Sequence, residues 1–168
     1  PIISDTYTLT NSLDYKTYNQ WLGTSIVSLG FHMKTTNSLN GEDVKLSERL
    51  YLPASKLRGF ESGKVGPKDG LSYIGGNYTS SVNIATTLPQ VLPSLQNTNF
   101  SLFFDAANIW GVDYSSSLAD ESKIRSSIGI AVDFYTPVGP LNFSLSEVIT
   151  KGPNDIAEAF RFNLGTTF

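Results

Sequence analysis

The sequence predicts an all-β fold, an antiparallel β-barrel crossing a membrane, and three observations point there. Apolar and polar residues alternate with period two almost from end to end, in runs of about 9 to 11 residues, the length of a tilted membrane strand. Charged residues are only 16% of the chain and gather between the runs; a soluble domain carries roughly 25%. No stretch approaches the roughly 20 consecutive apolar residues of a spanning helix, so any crossing falls to strands. At 168 residues the chain suffices for one domain.

Seven runs carry the pattern. The first, about Thr6 to Tyr15, sets Tyr7, Leu9, Leu13 and Tyr15 on one face. The second, about Gly23 to Lys34, alternates Val27, Leu29, Phe31 and Met33 with Ser28, Gly30 and His32. A polar stretch from about 35 to 72 follows. Structureless loops beyond about 15 residues are usually functional or disordered, so this one is expected to do something. The third run, Gly76 to Thr87, opposes Tyr78, Val82 and Ile84 to Asn77, Thr79, Ser81 and Asn83, and Pro89 and Pro93 bracket the next turn. The fourth, Asn99 to Trp110, points Phe100, Leu102, Phe104 and Trp110 outward and Ser101, Asp105 and Ala107 inward, with Phe103 and Ile109 as inward exceptions.

The fifth run, Ile124 to Tyr135, has the clearest alternation: Ile128, Ile130, Val132 and Phe134 against Ser127, Gly129, Ala131 and Asp133. A short turn, Thr136-Pro-Val-Gly-Pro140, leads to the sixth, Leu141 to Glu147, and the seventh spans Ala157 to Phe168. In that last run Phe160, Phe162, Leu164 and Phe168 share a face opposite Arg161, Asn163, Gly165 and Thr167, as a strand between lipid and lumen requires. Short turns alternate with longer loops, 111–122 and 149–156 among them, as in hairpins with one tight end and one loopy end. A soluble β-sandwich also alternates, and it remains an alternative on pattern alone.

Composition removes whole classes of function. The net charge of −3 gives no basic field, so nucleic acid is not an expected partner. With no cysteine there is no disulfide frame, thiolate metal site or cysteine nucleophile. His32 is the single histidine, expected on the lumen side, and offers no metal set. Asp105 and Asp133 imitate an acid/base pair, yet no nucleophile or oxyanion site accompanies them. Gly70-Leu-Ser72 and Gly75-Gly76 lack the strand-turn-helix setting of a phosphate loop. No enzyme, metal or cofactor is expected. The opening Pro1-Ile-Ile-Ser-Asp5 has no signal-peptide pattern and reads as the start of a processed or excised piece. Seven strands alone would leave an unpaired edge in lipid, so the sheet is expected to need further strands.

Three stretches act together: Leu50-Tyr-Leu52, Arg58-Gly-Phe60 and Val65-Gly-Pro67; then Phe103-Phe-Asp105 with Trp110; then Pro137-Val-Gly-Pro-Leu141 leading to the terminal Phe-x-Leu-Gly-Thr-x-Phe168. In this combination the chain, from Leu50 on, resembles the assembly-factor family of outer-membrane barrels, the BamA type. The resemblance implies residues 1–168 as the C-terminal seven strands of a sixteen-stranded barrel, with earlier strands and periplasmic repeat domains upstream. It implies that the long loop folds into the lumen, with Arg58 as motif arginine, Gly59 as turn glycine, Phe60 as packing aromatic and Glu61 completing the run. Asp105 is then the acidic wall partner. A second wall carboxylate, usual in the family, is replaced by Ala85, and Glu61 substitutes only if the loop bends back on itself.

Elementary chemistry agrees. A planar, permanently charged guanidinium suits bidentate capture by an inward carboxylate in a partly dry lumen. A solvated loop arginine, worth under about 1 kcal/mol, is the alternative. For Phe160, Phe162, Leu164, Gly165 and Phe168 the resemblance implies a closing strand that kinks at Gly165, a weak seam that templates client strands, and a terminal aromatic delivery signal. The function implied is insertion of unfolded barrel proteins into a bacterial outer membrane, with accessory lipoproteins and outer-membrane lipids as partners. An exporter of the two-partner-secretion type and a passive porin-like barrel are the alternatives.

Overall fold

The computed structural model describes residues 7–89, 97–118, 123–137 and 139–164. Seven strands form one antiparallel sheet: β1 (Thr8–Gln20), β2 (Ile26–Ser38), β5 (Tyr78–Thr87), β6 (Thr98–Trp110), β7 (Arg125–Thr136), β8 (Gly139–Thr150) and β9 (Phe160–Leu164). Each strand pairs with its sequence neighbour in the order β1-β2-β5-β6-β7-β8-β9. Inside the long loop, β3 (Lys68–Asp69) and β4 (Ser72–Tyr73) make a small separate hairpin.

The period-two residues fall as their chemistry demands, but with the polarity of a soluble sheet inverted. Leu9, Leu13, Tyr15, Leu29, Met33, Ile84, Leu102, Ile128, Ile130, Leu145 and Phe160 are exposed on one face. Thr36, Thr79, Ser81, Asp105, Ser127, Asn142 and Ser144 are buried on the other. A sandwich buries its apolar face; an apolar outer band over a polar interior is the arrangement lipid selects. The burial comes from the loop between β2 and β5, which lies across the inner face. Its Leu52, Leu57, Phe60 and Val65 form one apolar cluster with Ala107 and Ile109 of β6. That contact explains the two inward exceptions on β6, since Phe103 and Ile109 lie beneath the loop with 2% and 0% exposure.

Strand ends differ from the sequence expectation. β1 continues to Gln20, because Lys16 to Gln20 pair with Gly30 to Ile26, with Tyr18 on the inner face opposite Ser28. β2 continues through Ser38, so the loop runs over 39–77. Thr35 to Ser38 read as loop because they are polar, yet they pair with Asn11 to Thr8, and Thr36 is inward and buried. β8 likewise reaches Thr150. At the other end β9 starts at Phe160, and Ala157 forms an isolated bridge with Phe60 of the loop. Gly165 and Phe168, expected to form the kink and terminal signal, lie outside the described residues, as does Pro93.

Ile130 sits midway along β7 on the outer face. Ile130→Arg is expected to destabilise the membrane-embedded protein by about 2–4 kcal/mol, the cost of a cation near the bilayer midplane. Ser101→Thr, on the inner face, is expected to stay within about 0.5 kcal/mol. Urea unfolding from lipid vesicles measures both, and equal effects would contradict the assignment of faces.

Candidate functional site

Register places three polar side chains in one row across the inner wall: Asn83 on β5 faces Asp105 on β6, which faces Ser127 on β7. Arg58 of the loop docks on this row. Its Nε donates to Asp105 Oδ2 at 2.7 Å, its Nη2 to Oδ1 at 2.8 Å, and its own backbone N–H to Oδ2 at 3.0 Å. Asn83 adds a fourth bond, Nδ2 to Asp105 Oδ1 at 2.8 Å, and also donates to the Lys56 carbonyl at 2.9 Å. The Asp105 side chain is 0% exposed and that of Arg58 8%. A carboxylate this buried needs its lone pairs filled, and four donors do so.

The second row fixes the arginine plane. Phe103 faces Gly129 on β7, and the Arg58 guanidinium carbon lies 3.6 Å from the Phe103 ring centroid. Such stacking over an aromatic face adds about 0.5–2 kcal/mol. A Cβ on Gly129 would come within 2.5 Å of the Phe103 ring and 2.2 Å of the Leu145 carbonyl, so the ring needs that glycine. Gly59 adopts φ +86°, and a Cβ there would lie 3.0 Å from Ser127 Cβ and 3.1 Å from Ser146 Cβ. Glycine therefore lets the loop backbone touch the wall. Ser127 Oγ, in turn, donates to the Arg58 carbonyl at 2.5 Å.

Of the residues expected from sequence, Arg58, Gly59, Phe60 and Asp105 come together as one anchor, and Phe60 is 1% exposed within the apolar cluster. Glu61 does not join. It is exposed, and its backbone N–H donates to the Ile156 carbonyl at 2.9 Å. Among the described residues the anchor thus rests on the single carboxylate of Asp105, beside Ala85. Phe160, Phe162 and Leu164 are all on the outer face of β9. His32 is inward, as expected, and its Nδ1 lies 2.8 Å from Asp14 Oδ1, which Lys56 of the loop also reaches at 2.8 Å. Asp133 is held by Asn142 at 2.5 Å and has no part in the anchor. Sequence reading missed Asn83, Phe103, Ser127 and Gly129 as supports, although Phe103 had already stood out as an aromatic on the polar face.

Two further arginine–aspartate pairs hold the loop at its margins. Arg49 Nη2 bonds Asp113 Oδ1 at 2.6 Å beneath the Tyr114 ring. Arg125 Nε bonds Asp155 Oδ2 at 2.8 Å, while Asp155 Oδ1 accepts the Gly66 N–H at 3.0 Å. Asp113 lies beyond the end of β6. Burial alone would raise its pKa, but the Val44 N–H, the Asn77 amide and Arg49 together hold its carboxyl below the ordinary 3.8.

Residues 3–168 match the family model of the Omp85 superfamily domain. The chain belongs to the Omp85 superfamily. It is 29% identical to the outer membrane protein assembly factor BamA of Neisseria meningitidis, over 91% of this chain and 22% of that protein. It is 30% identical to a SAM50-like protein of Schizosaccharomyces pombe, over 84% of this chain and 31% of that one. The crystal structure of BamA from Haemophilus ducreyi lacking POTRA domains 1-3 superposes with a TM-score of 0.86 at 25% identity, covering 96% of this chain and 35% of that one. The chain therefore spans between about a fifth and a third of the relatives it matches. Within the superfamily it is a BamA-type segment, seven strands of a bacterial outer-membrane barrel.

Removing one partner of a buried pair costs about 3–5 kcal/mol. Asp105→Ala is accordingly expected to free the loop, read as rapid tryptic cleavage at Lys56 and Arg58 in a protein whose sheet persists by circular dichroism. Protection equal to wild type would refute the anchor. Phe103→Leu should loosen the loop by a smaller step, about 0.5–2 kcal/mol. For Asp113 the folded pKa is depressed, so its contribution is fully present above 3.8 and lost as pH falls through the lower folded value. Pepsin cleavage around Val44 to Leu50 should therefore rise below that pH, and Asp113→Asn should abolish the pH dependence.

Proposed function

We propose that this chain is the loop-and-seam part of an outer-membrane protein assembly factor, one that folds and inserts β-barrel proteins. The observation that carries the reading is the docked loop. Arg58 is fixed on the wall by Asp105, and the next residues reach across to the chain leading into β9, where the Glu158 N–H donates to the Gly59 carbonyl at 2.9 Å. A rigid loop thereby sits against β9, the last strand of the described sheet and the one the resemblance makes the closing strand. An edge strand offers unpaired backbone groups to an incoming strand, and β-augmentation needs nothing more. No covalent bond is made or broken in this mechanism, and the protein acts by lowering the barrier to strand pairing in lipid.

The matched relatives lend support by name, one an outer membrane protein assembly factor and another a SAM50-like protein. Clients in this reading are unfolded outer-membrane proteins. Accessory lipoproteins dock outside these residues, and outer-membrane lipids contact the apolar outer face.

The test is the rate at which a denatured client barrel folds into liposomes holding the intact protein. Wild type is expected to accelerate folding, and Arg58→Ala to return the rate most of the way to that of empty liposomes while the barrel stays folded. Ion conductance without acceleration would identify a passive pore. Secretion of one dedicated partner, with other clients unaffected, would identify an exporter.

A further inference from the structure

The two ends of β8 hold their outer neighbour differently. Leu141 to Leu145 pair with Leu164 to Phe160, and the Ser146 N–H donates to the Ala159 carbonyl at 2.8 Å. Beyond that point β8 runs on to Thr150, but the chain leading into β9 leaves it. A cavity of about 320 Å³, lined by Glu147, Val148, Ile149, Ala157 and Ala159 among others, opens between them.

The departing chain is held by the loop instead. The Glu158 N–H donates to the Gly59 carbonyl at 2.9 Å, the Glu61 N–H to the Ile156 carbonyl at 2.9 Å, and the Ile156 N–H to the Lys64 carbonyl at 3.0 Å. These bonds flank the Phe60–Ala157 bridge and make a short antiparallel ladder. One side chain of β9 completes it. Arg161, inward and opposite Ser144, donates through Nη2 to the Phe60 carbonyl and through Nη1 to the Ala54 carbonyl at 3.3 Å. Glu158 orients it, accepting from Nε at 2.8 Å. The Arg161 side chain is 10% exposed, so this contact is largely shielded from solvent.

Three successive carbonyls of the motif are thus taken from three directions: Arg58 by Ser127 of β7, Gly59 by Glu158, and Phe60 by Arg161 of β9. A short rigid segment held at all three points cannot leave one without straining the others.

We propose that Arg161 is a positioning residue that ties β9 to the Arg58 loop, so that loop docking on Asp105 and retention of β9 are one coupled equilibrium. Coupling of this kind is reciprocal: whatever draws β9 outward loosens the loop, and whatever frees the loop loosens β9. The inference rests on the assembly reading and deepens it, since a client strand that displaces β9 would be sensed by the loop.

Hydrogen exchange with mass spectrometry on the intact protein in nanodiscs, without any client, tests it. Arg161→Gln is expected to speed exchange in 156–164 and in 59–64 together, on the order of ten-fold, as loss of a buried carbonyl's donor predicts. Arg58→Ala, a change to a side chain that pairs with Asp105 and Phe103 of β6, is expected to speed exchange in 156–164 as well. The double variant should fall short of the sum of the two. Arg161→Lys, able to reach one carbonyl, should recover part of the protection, which a merely space-filling role would not give. Should Arg161→Gln fail to fold, Glu158→Gln removes the orienting carboxylate and is expected to move the same peptides. Unchanged exchange in 156–164 for Arg58→Ala, or faster exchange there for Arg161→Gln with 59–64 unchanged, would overturn the coupling. Client folding is measured separately, so loss of that activity in wild type would sink the assembly reading while leaving the coupling result standing.

Discussion

The ion pair between Arg58 and Asp105 is the contact on which the inner organisation depends. Burying two charges costs several kcal/mol per ion unless geometry and extra hydrogen bonds repay it. Here the repayment is distributed over the wall: Asn83 and the Arg58 backbone N–H fill the carboxylate, and Phe103 backs the guanidinium. Such a pair contributes little net stability and much orientation, since no shifted loop position satisfies the same donors. The apolar cluster of Leu52, Leu57, Phe60 and Val65 against Ala107 and Ile109 supplies the burial, and the ion pair sets its register.

That division of labour follows from where the sheet lives. A strand wall with lipid on its outer face cannot form a core there, because the apolar side chains gain nothing from one another that lipid does not give them. The structured interior must be assembled on the polar face, from a segment that brings its own apolar residues and satisfies the wall's polar ones. The 39–77 loop does both, which is why so many charged contacts in this low-charge chain concern it. Arg49, Lys56 and Arg58 come from within it, and Arg125 and Arg161 reach its surroundings from β7 and β9.

Period two made the wall legible. It assigned lipid and lumen faces correctly for Leu29, Ile84, Leu102, Ile130 and Phe160 because lipid contact is a property each residue reports alone. Polar strand ends such as Thr35 to Ser38 were not legible, since a lumen-facing threonine and a loop threonine look the same until pairing is known. The anchor was legible in its charged members through the family resemblance. Its supports were not, because Asn83, Ser127 and Gly129 are ordinary inward residues until the loop arrives above them. Phe103 is instructive, as an aromatic that breaks the alternation marks where something must cover the wall. Arg161 read only as one of the inward residues of the last run; its role depends on loop carbonyls about a hundred positions upstream.

A machine that lends a strand edge needs an edge strand neither fused to the sheet nor free of it. Backbone pairing alone gives poor control, because ladder bonds are alike and a strand held by many of them leaves only by breaking all. Side-chain contacts to a separate, rigid element allow something different. The chain entering β9 is drawn away from β8 beside a cavity of about 320 Å³ and secured to the loop by a few bonds and one arginine. Those few contacts can break together, and the loop that receives them is itself pinned through Arg58. Under the proposed coupling, the hold on β9 is set at the anchor, away from the outer edge of the sheet.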